Sequence, residues 1–397
     1  MRSDVIVVGL GPAGSTAAYR LASAGLEVVA LDKAVFPRYK SCGGCISTKV
    51  TDILDFDVSG VIEHEVRGAT FTYKSLYPLD IISDRPVGYN VMRDRFDHLL
   101  VEKARGAGAR IVEGARVCDV EIGSGGATVR TEAGGCYRGR VLVGADGASG
   151  LVGRRLFGMK PKEAAVSLTS EVPYDRKALA AETDGRLYID FGSVPFGYGW
   201  IFPKERYLSV GMAGDTEWVG GRIKDCFDAF VSSHPLLRGF EVKERVGWTV
   251  PIYYDGAPPA VRDRALLVGD TGHLVDPFLG EGIYYAVKTA GAAADVIVEA
   301  LGAEKAGGPD LRAYQEWIER VIKPEFDAAD RLSDLIYRHP RLWFKILEKE
   351  PHIMLRYYDV IRGEWDCPSF YEWVYSKVRG KPFRALRRWI ESRFMPA

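Results

Sequence analysis

Glycines at positions 9, 11 and 14 are the first residues whose spacing implies chemistry. They belong to Gly9-Leu10-Gly11-Pro12-Ala13-Gly14, which follows the β-branched run Asp4-Val5-Ile6-Val7-Val8 and precedes an Ala-rich stretch from Ser15 to Ala24. A strand, a glycine turn and a helix in that order bring backbone N–H groups to phosphate. Gly9 permits the tight turn, Gly11 lets the main chain approach a pyrophosphate, and Gly14 lets helix and strand pack closely. The helix N-terminus adds the positive end of its dipole. A second apolar strand, Leu26 to Leu31, ends in Asp32, where a carboxylate can accept hydrogen bonds from a ribose, and Lys33 follows. This unit binds a dinucleotide, but alone it does not say which one.

Two later strand ends bear on that choice. Val141 to Gly144 runs into Ala145-Asp146-Gly147, and Leu266-Leu267-Val268 runs into Gly269-Asp270. A Gly/Pro-containing loop from His273 to Gly282 follows, then a helix from Ile283 to Ala300. Asp270 at a strand end can accept a hydrogen bond from a sugar-like hydroxyl, or cap a helix. The order GxGxxG, Asp-Gly, Gly-Asp-x(5)-Asp-Pro resembles the flavoprotein superfamily that includes para-hydroxybenzoate hydroxylase. The resemblance implies FAD, with Asp146 near the nucleotide and Asp270 at the ribityl or ribose region. The Gly280-Glu281-Gly282 helix start, with Ile283, can then stabilise negative charge at N1/O2 of a reduced flavin. Arg93, in Val91-Met92-Arg93-Asp94-Arg95-Phe96-Asp97, opens a helix through Val101 and is similar to an arginine that lies close to FAD in that superfamily; a surface salt bridge is the alternative. No second strand–GxGxxG–helix unit exists, since Gly106-Ala107-Gly108-Ala109 stands between a helix and a strand. A dedicated NAD(P)H domain is therefore not expected, although relatives that use NAD(P)H also lack one.

Two further segments narrow the class. Phe36 to Ser47 contains Cys42-Gly43-Gly44-Cys45, and Pro195 to Lys204 contains Tyr198, Trp200 and Phe202 at alternate positions. Both resemble the geranylgeranyl reductase family, through Cys-Gly-x-x-x-Ser (Cys42, Gly43, Ser47) and Pro-x-x-Tyr-x-Trp-x-Phe-Pro (Pro195, Tyr198, Trp200, Phe202, Pro203). The resemblance spans about residues 1–305. It implies saturation of isolated double bonds of a geranylgeranyl chain carried on a lipid, diphosphate, quinone or tetrapyrrole, by hydride transfer from N5 of reduced flavin. It also implies that Cys42 and Gly43 lie at the flavin and that Pro195, Tyr198, Trp200 and Phe202 line the substrate cavity. The chemistry agrees with the residue types. An isolated alkene has no carbonyl to polarise, so it needs a long apolar slot and a dry wall rather than an oxyanion hole. Residues two apart on a strand face one side, so the three aromatics form a stripe; a stripe also fits plain core. Cys42 is the candidate catalytic residue: it could donate a proton to the alkene carbon or shape the pocket. A redox or zinc role for Cys42 and Cys45 is disfavoured by the two glycines between them and by the lack of further ligands at suitable spacing.

The 397 residues carry 53 basic and 53 acidic side chains, with 47% hydrophobic and 27% charged residues, so global charge points to no nucleic-acid partner. From Arg331 onward there are 14 basic and 8 acidic residues. That tail is aromatic-rich and includes Arg384, Arg387, Arg388 and Arg393, which suits either a helix at an anionic membrane interface or ordinary docking on the body. No run of 18 apolar residues suggests a membrane span. The six cysteines form no disulfide framework, which suits a reducing, cytoplasmic location, with peripheral membrane contact an open option.

The expected architecture is α/β: a Rossmann-type FAD-binding domain (1–60, 90–159 and 260–308), an antiparallel-sheet substrate domain (61–89 and 160–259), and a C-terminal helical region (309–397). Leu187 to Phe191 and Tyr207 to Gly211 alternate like strands, and Ile223 to Ser232 like a helix. Leu311 to Ile322 reads as one helix, with Pro324 leading into another through Tyr337. The competing reading is an aromatic monooxygenase of the same superfamily. The halogenase motif Trp-x-Trp-x-Ile is absent, and Cys367 alone cannot hold an iron–sulfur cluster. The electron donor, NAD(P)H or ferredoxin or another donor protein, is not legible.

Overall fold

The structure, a computed structural model, describes residues 2–159, 165–303 and 308–379. The tail arginines at 384, 387, 388 and 393 lie outside the described residues.

The strand Arg2–Val8 sits in the middle of the first sheet, parallel to Val28–Leu31 on one side and to Cys136–Gly144 on the other. Arg110–Val112 adds on one side and Ala265–Leu267 on the other, both parallel, and the short antiparallel strand Val261–Arg262 lies outside Ala265–Leu267. Val5, Ile6, Val7, Val141, Leu142 and Val143 are all fully buried. Helices and the antiparallel hairpin Val117–Gly123 and Gly126–Thr131, whose Val120, Ala127 and Val129 share the same core, cover these parallel strands, which are therefore apolar throughout instead of alternating. The helices Pro12–Ser23 and Ile283–Gly302 pack against each other there, and their Ala17, Ala18, Ala290 and Ala293 are buried in the shared core.

The second sheet has seven strands, ordered Val246–Val250, Ala165–Pro173, Tyr207–Asp215, Gly197–Pro203, Arg186–Phe191, Gly68–Tyr73 and Leu76–Ile82. Its pairings are antiparallel as expected except one: Gly68–Tyr73 runs parallel to Arg186–Phe191. The chain leaves this sheet after Ile82, builds much of the first sheet and returns at Ala165, and only such a long crossover permits a parallel pair. A small three-stranded sheet, Cys45–Ser47, Gly88–Val91 and Ile62–Val66, joins the two halves.

The C-terminal helices do not form a separate layer. Arg312–Trp317 passes through one wide turn, Ile318–Ile322, directly into Lys323–Tyr337. The break expected before Pro324 is therefore absent. Proline at the first turn after a wide turn loses no obligatory hydrogen bond, so the helix axis continues. Pro340–Lys349, His352–Ile361 and Cys367–Arg379 follow. Their aromatic residues Tyr337, Trp343, Phe344, Tyr357 and Phe370 share one core with Phe71 and Phe191 of the second sheet. Among the described residues, no helix is long and apolar enough to cross a membrane.

Candidate active site

One cavity of about 540 Å³ lies between the two sheets. Its phosphate end is made by backbone. Gly9 has φ +98°, and a Cβ there would stand 2.2 Å from Ala145 O; one on Gly14 would stand 1.8 Å from Gly9 O. Gly11 differs: a Cβ would meet only Arg38 Nη2, at 3.9 Å. The space in front of Gly11 is thus open, beside the first N–H groups of the helix that begins at Pro12. Asp32 is fixed by N–H donors from Leu10 (2.7 Å) and Ala34 (2.8 Å), which leaves further lone pairs for sugar hydroxyls. Asp146 lines the cavity and also caps a helix, accepting from Val152 N–H at 3.0 Å; burial pushes its carboxyl up.

Arg93 is not on the surface. It makes two 2.8 Å bonds to Asp97, itself fully buried, and Arg38 makes a third contact at 2.9 Å. Two guanidinium groups around one carboxylate leave a net positive charge at the cavity wall, suited to a pyrophosphate. Lys40 lies 3.9 Å from the centre of the Trp248 ring, and burial, with Arg93 nearby, pushes its ammonium down to about 8.

At the other end, Gly280 (φ +67°), Gly282 and Ile283 line the wall at the start of the long helix. Asp276 accepts N–H bonds from Phe278 (2.8 Å) and Leu279 (2.6 Å). Burial pushes its carboxyl up to about 6. Two tyrosine hydroxyls from different elements donate to the same loop: Tyr198 to Leu279 O at 2.5 Å and Tyr337 to Phe278 O at 2.6 Å. Glu281 is tied to Lys49 at 3.1 Å.

Tyr198, Trp200 and Phe202 all face this cavity, while Ile201 between them packs into the core on the opposite face of the sheet. Glycines make room for the rings. A Cβ on Gly211 would stand 2.2 Å from the Trp200 ring, and one on Gly43 would stand 2.7 Å from the Phe202 ring. Phe71, Phe278, Met354 and Tyr357 also line the cavity. Cys42 lines it as well; its Sγ accepts from Gly44 N–H at 3.3 Å and lies against Arg93.

Of the residues singled out in the sequence, Gly9, Gly11, Ala13, Asp32, Lys33, Cys42, Gly43, Arg93, Asp146, Asp270, Gly280, Gly282, Ile283, Tyr198, Trp200 and Phe202 line this one cavity. Gly14, Gly269 and Pro195 do not. Gly14 and Gly269 serve close packing, the latter at φ +54° against Ala13 and Ala286. Pro195 lies in the turn before the strand, its carbonyl against Gly214. Sequence reasoning missed Arg38, Lys40, Asp97, Lys204 and the tyrosines of the C-terminal helices. Cations close before Cys42 were a usable signal for the first two; nothing local marks the tyrosines.

The residues present fit FAD by an observation independent of motif. Arg38 Nη1, Ser47 Oγ, Asp146 Oδ1 and Trp200 Nε1 are buried without a protein partner, and all four residues line the cavity. Buried polar atoms ordinarily have partners, and a polar ligand in this cavity would supply them here. Fold and site define an FAD-dependent oxidoreductase.

Comparison with known proteins places it more closely. Residues 2–172 match the family model described as an FAD binding domain. The chain is 34% identical over 304 residues to a geranylgeranyl diphosphate reductase of Rhodobacter capsulatus, covering 72% of each. It is 30% identical over 349 residues to a digeranylgeranylglycerophospholipid reductase of Thermoplasma acidophilum, covering 82% of this chain and 84% of the relative. A crystal structure of a geranylgeranyl bacteriochlorophyll reductase-like protein from Thermoplasma acidophilum superposes with TM-score 0.74 at 27% identity, covering 85% of this chain and 88% of that one. A flavin-dependent brominase shares the fold, with TM-score 0.73 at 20% identity. The chain belongs to the geranylgeranyl reductase family of FAD-dependent oxidoreductases.

Proposed function

We propose that this enzyme saturates isolated double bonds of a geranylgeranyl chain carried on a lipid, diphosphate, quinone or tetrapyrrole head group. The observation that carries this reading is continuity: the aromatic wall of Tyr198, Trp200 and Phe202 and the nucleotide-binding glycine rim line the same cavity. The names of the relatives supply the substrate class.

In this reading Gly9, Gly11 and Ala13 cradle the FAD pyrophosphate, and Gly14 lets the helix pack closely on the turn that shapes the cradle. Asp32 and Lys33 take the adenosine side, and Arg93, with Arg38, supplies positive charge. Asp146 and Asp270 border the ribityl chain, with Gly269 holding that turn by close packing on Ala13 and Ala286, while Gly280, Gly282 and Ile283 border the flavin ring beside Cys42 and Gly43. Bound and reduced, the flavin supplies a hydride to one alkene carbon, and a proton must reach the neighbouring carbon. Cys42 is the candidate to hold that proton, because its thiol is at the cavity wall where the cysteine loop meets the aromatic stripe. Trp200 and Phe202 orient the chain and exclude water.

The test is product mass. Holoprotein reduced with dithionite is incubated without oxygen with geranylgeranyl chains on diphosphate, glycerophospholipid, quinone and tetrapyrrole head groups. Products heavier by pairs of hydrogens on one of them support the reading and identify the head group. No mass gain on any of them overturns it and favours the aromatic monooxygenase, whose product requires oxygen.

A further inference from the structure

Beneath the loop that carries Cys42 lies a buried lysine. Lys204 is 1% exposed, and its ammonium donates to Gly43 O (2.6 Å) and Gly44 O (2.8 Å). Its main chain is clamped on both sides: its N–H donates to Tyr207 O at 2.7 Å and its carbonyl accepts from Tyr174 Oη at 2.7 Å. The preceding residue is held too, with Asn90 Nδ2 donating to Pro203 O at 2.7 Å. A second contact reaches the loop from the same sheet, as Ser209 Oγ is 3.4 Å from Cys42 O and 3.1 Å from Glu171 Oε1. Lys204 does not line the cavity, so it touches neither cofactor nor substrate.

Lysine is almost never fully buried unless paired, because taking an ammonium out of water costs several kcal/mol. Here burial pushes it down to about 8. The need for it follows from the loop. Position 43 must be glycine, since a Cβ would stand 2.7 Å from the Phe202 ring. Position 44, at φ +65°, must be glycine as well, since a Cβ would stand 2.4 Å from Val91 O. Two adjacent glycines make the most flexible backbone available, directly beside the thiol that must be held in place. A fixed cation on their carbonyls removes that freedom.

We propose that Lys204 is a positioning residue, locking the Cys42-Gly43-Gly44-Cys45 loop onto the strand that carries Trp200 and Phe202, so that the cysteine and the aromatic wall move as one body. The catalytic half of this proposal rests on the prenyl-reductase reading; the structural half does not.

The test uses FAD-loaded full-length protein with Lys204→Met and Lys204→Arg. Hydrogen exchange of the peptide spanning 41–47 rises about tenfold or more in K204M, while the peptide spanning 4–10 keeps its wild-type rate. Flavin reoxidation by geranylgeranyl diphosphate at saturation falls about tenfold, with the half-saturating concentration within about twofold of wild type. K204R, which keeps a charged donor, recovers both to within about threefold. Wild-type exchange over 41–47 in K204M overturns the proposal, as does faster exchange with an undiminished saturating rate. Should K204M not fold, Lys204→Gln, which keeps a single neutral donor group beneath the two carbonyls, is measured instead: about threefold faster exchange over 41–47 supports the lock and no change refutes it. Absence of prenyl turnover in wild type with every proposed head group would instead remove the prenyl reading and leave the exchange comparison to decide the lock.

Discussion

The two ends of the cavity are built by different means. The phosphate end is built on backbone, with Asp32, Arg38 and Arg93 beside it, and its glycine requirements are steric. Gly9 and Gly14 have no room for a Cβ, Gly11 has room that a ligand needs, and Asp32 is held by two neighbouring N–H groups. The chain end is side chains. Phe71, Trp200, Phe278 and Tyr357 come from four distant stretches and meet only because two sheets and the C-terminal helices fold onto one another. A site made of backbone writes its needs into residue type and spacing. A site made of side chains takes its identity from the fold, because an aromatic residue in a wall and one in a core are the same residue.

The sharpest way to break this contrast is at the glycines. Gly9→Ala places a Cβ 2.2 Å from a carbonyl at φ +98° and should cost ~3 kcal/mol or more, seen as loss of folded protein in denaturant titration. Gly11→Val should fold, losing ~1 kcal/mol or less, yet weaken FAD by about 100-fold, roughly 3 kcal/mol, in a fluorescence titration. Equal destabilisation by both would mean that Gly11 serves packing and not a ligand. At the other end, Trp200→Ala should retain stoichiometric FAD and slow flavin reoxidation by a prenyl substrate about tenfold; an unchanged rate would return Trp200 to the core.

The loop between the ends gives smaller effects. Asp276 keeps its proton up to about pH 6 when folded, whereas the unfolded carboxyl loses it near the ordinary 3.8. The folded apoprotein therefore binds more protons over that window, and its stability falls as pH rises through it. Asp276→Asn should flatten that slope in thermal melts between about pH 4 and pH 6.5. Tyr337→Phe, which leaves Phe278 O without its donor, should cost ~1 kcal/mol at any of these pH values.

The same contrast explains what could be read from the sequence. The nucleotide strand, turn and helix were legible because glycine spacing is local. The aromatic stripe was legible as a stripe, and the family resemblance supplied the meaning. The parallel pairing of Gly68–Tyr73 with Arg186–Phe191 was not, since strand alternation carries no direction across a gap of more than a hundred residues. Nor was the helix through Pro324, where a wide turn absorbs the missing N–H. Asp97, fully buried between Arg38 and Arg93, looks in the sequence like one more charge on a helix. Lys204 was equally hidden: a lysine after a strand is ordinarily a solvated end, and only the fold puts glycine carbonyls above it.

The account's central claim is that one cavity joins flavin chemistry to an isolated alkene. It is tested most directly by mixing dithionite-reduced holoprotein, without oxygen, with geranylgeranyl chains on each of the proposed head groups and with their fully saturated counterparts, while following flavin absorbance. The account predicts reoxidation by the unsaturated chain alone. Reoxidation that occurs only when oxygen is admitted, and equally with either chain, would contradict it.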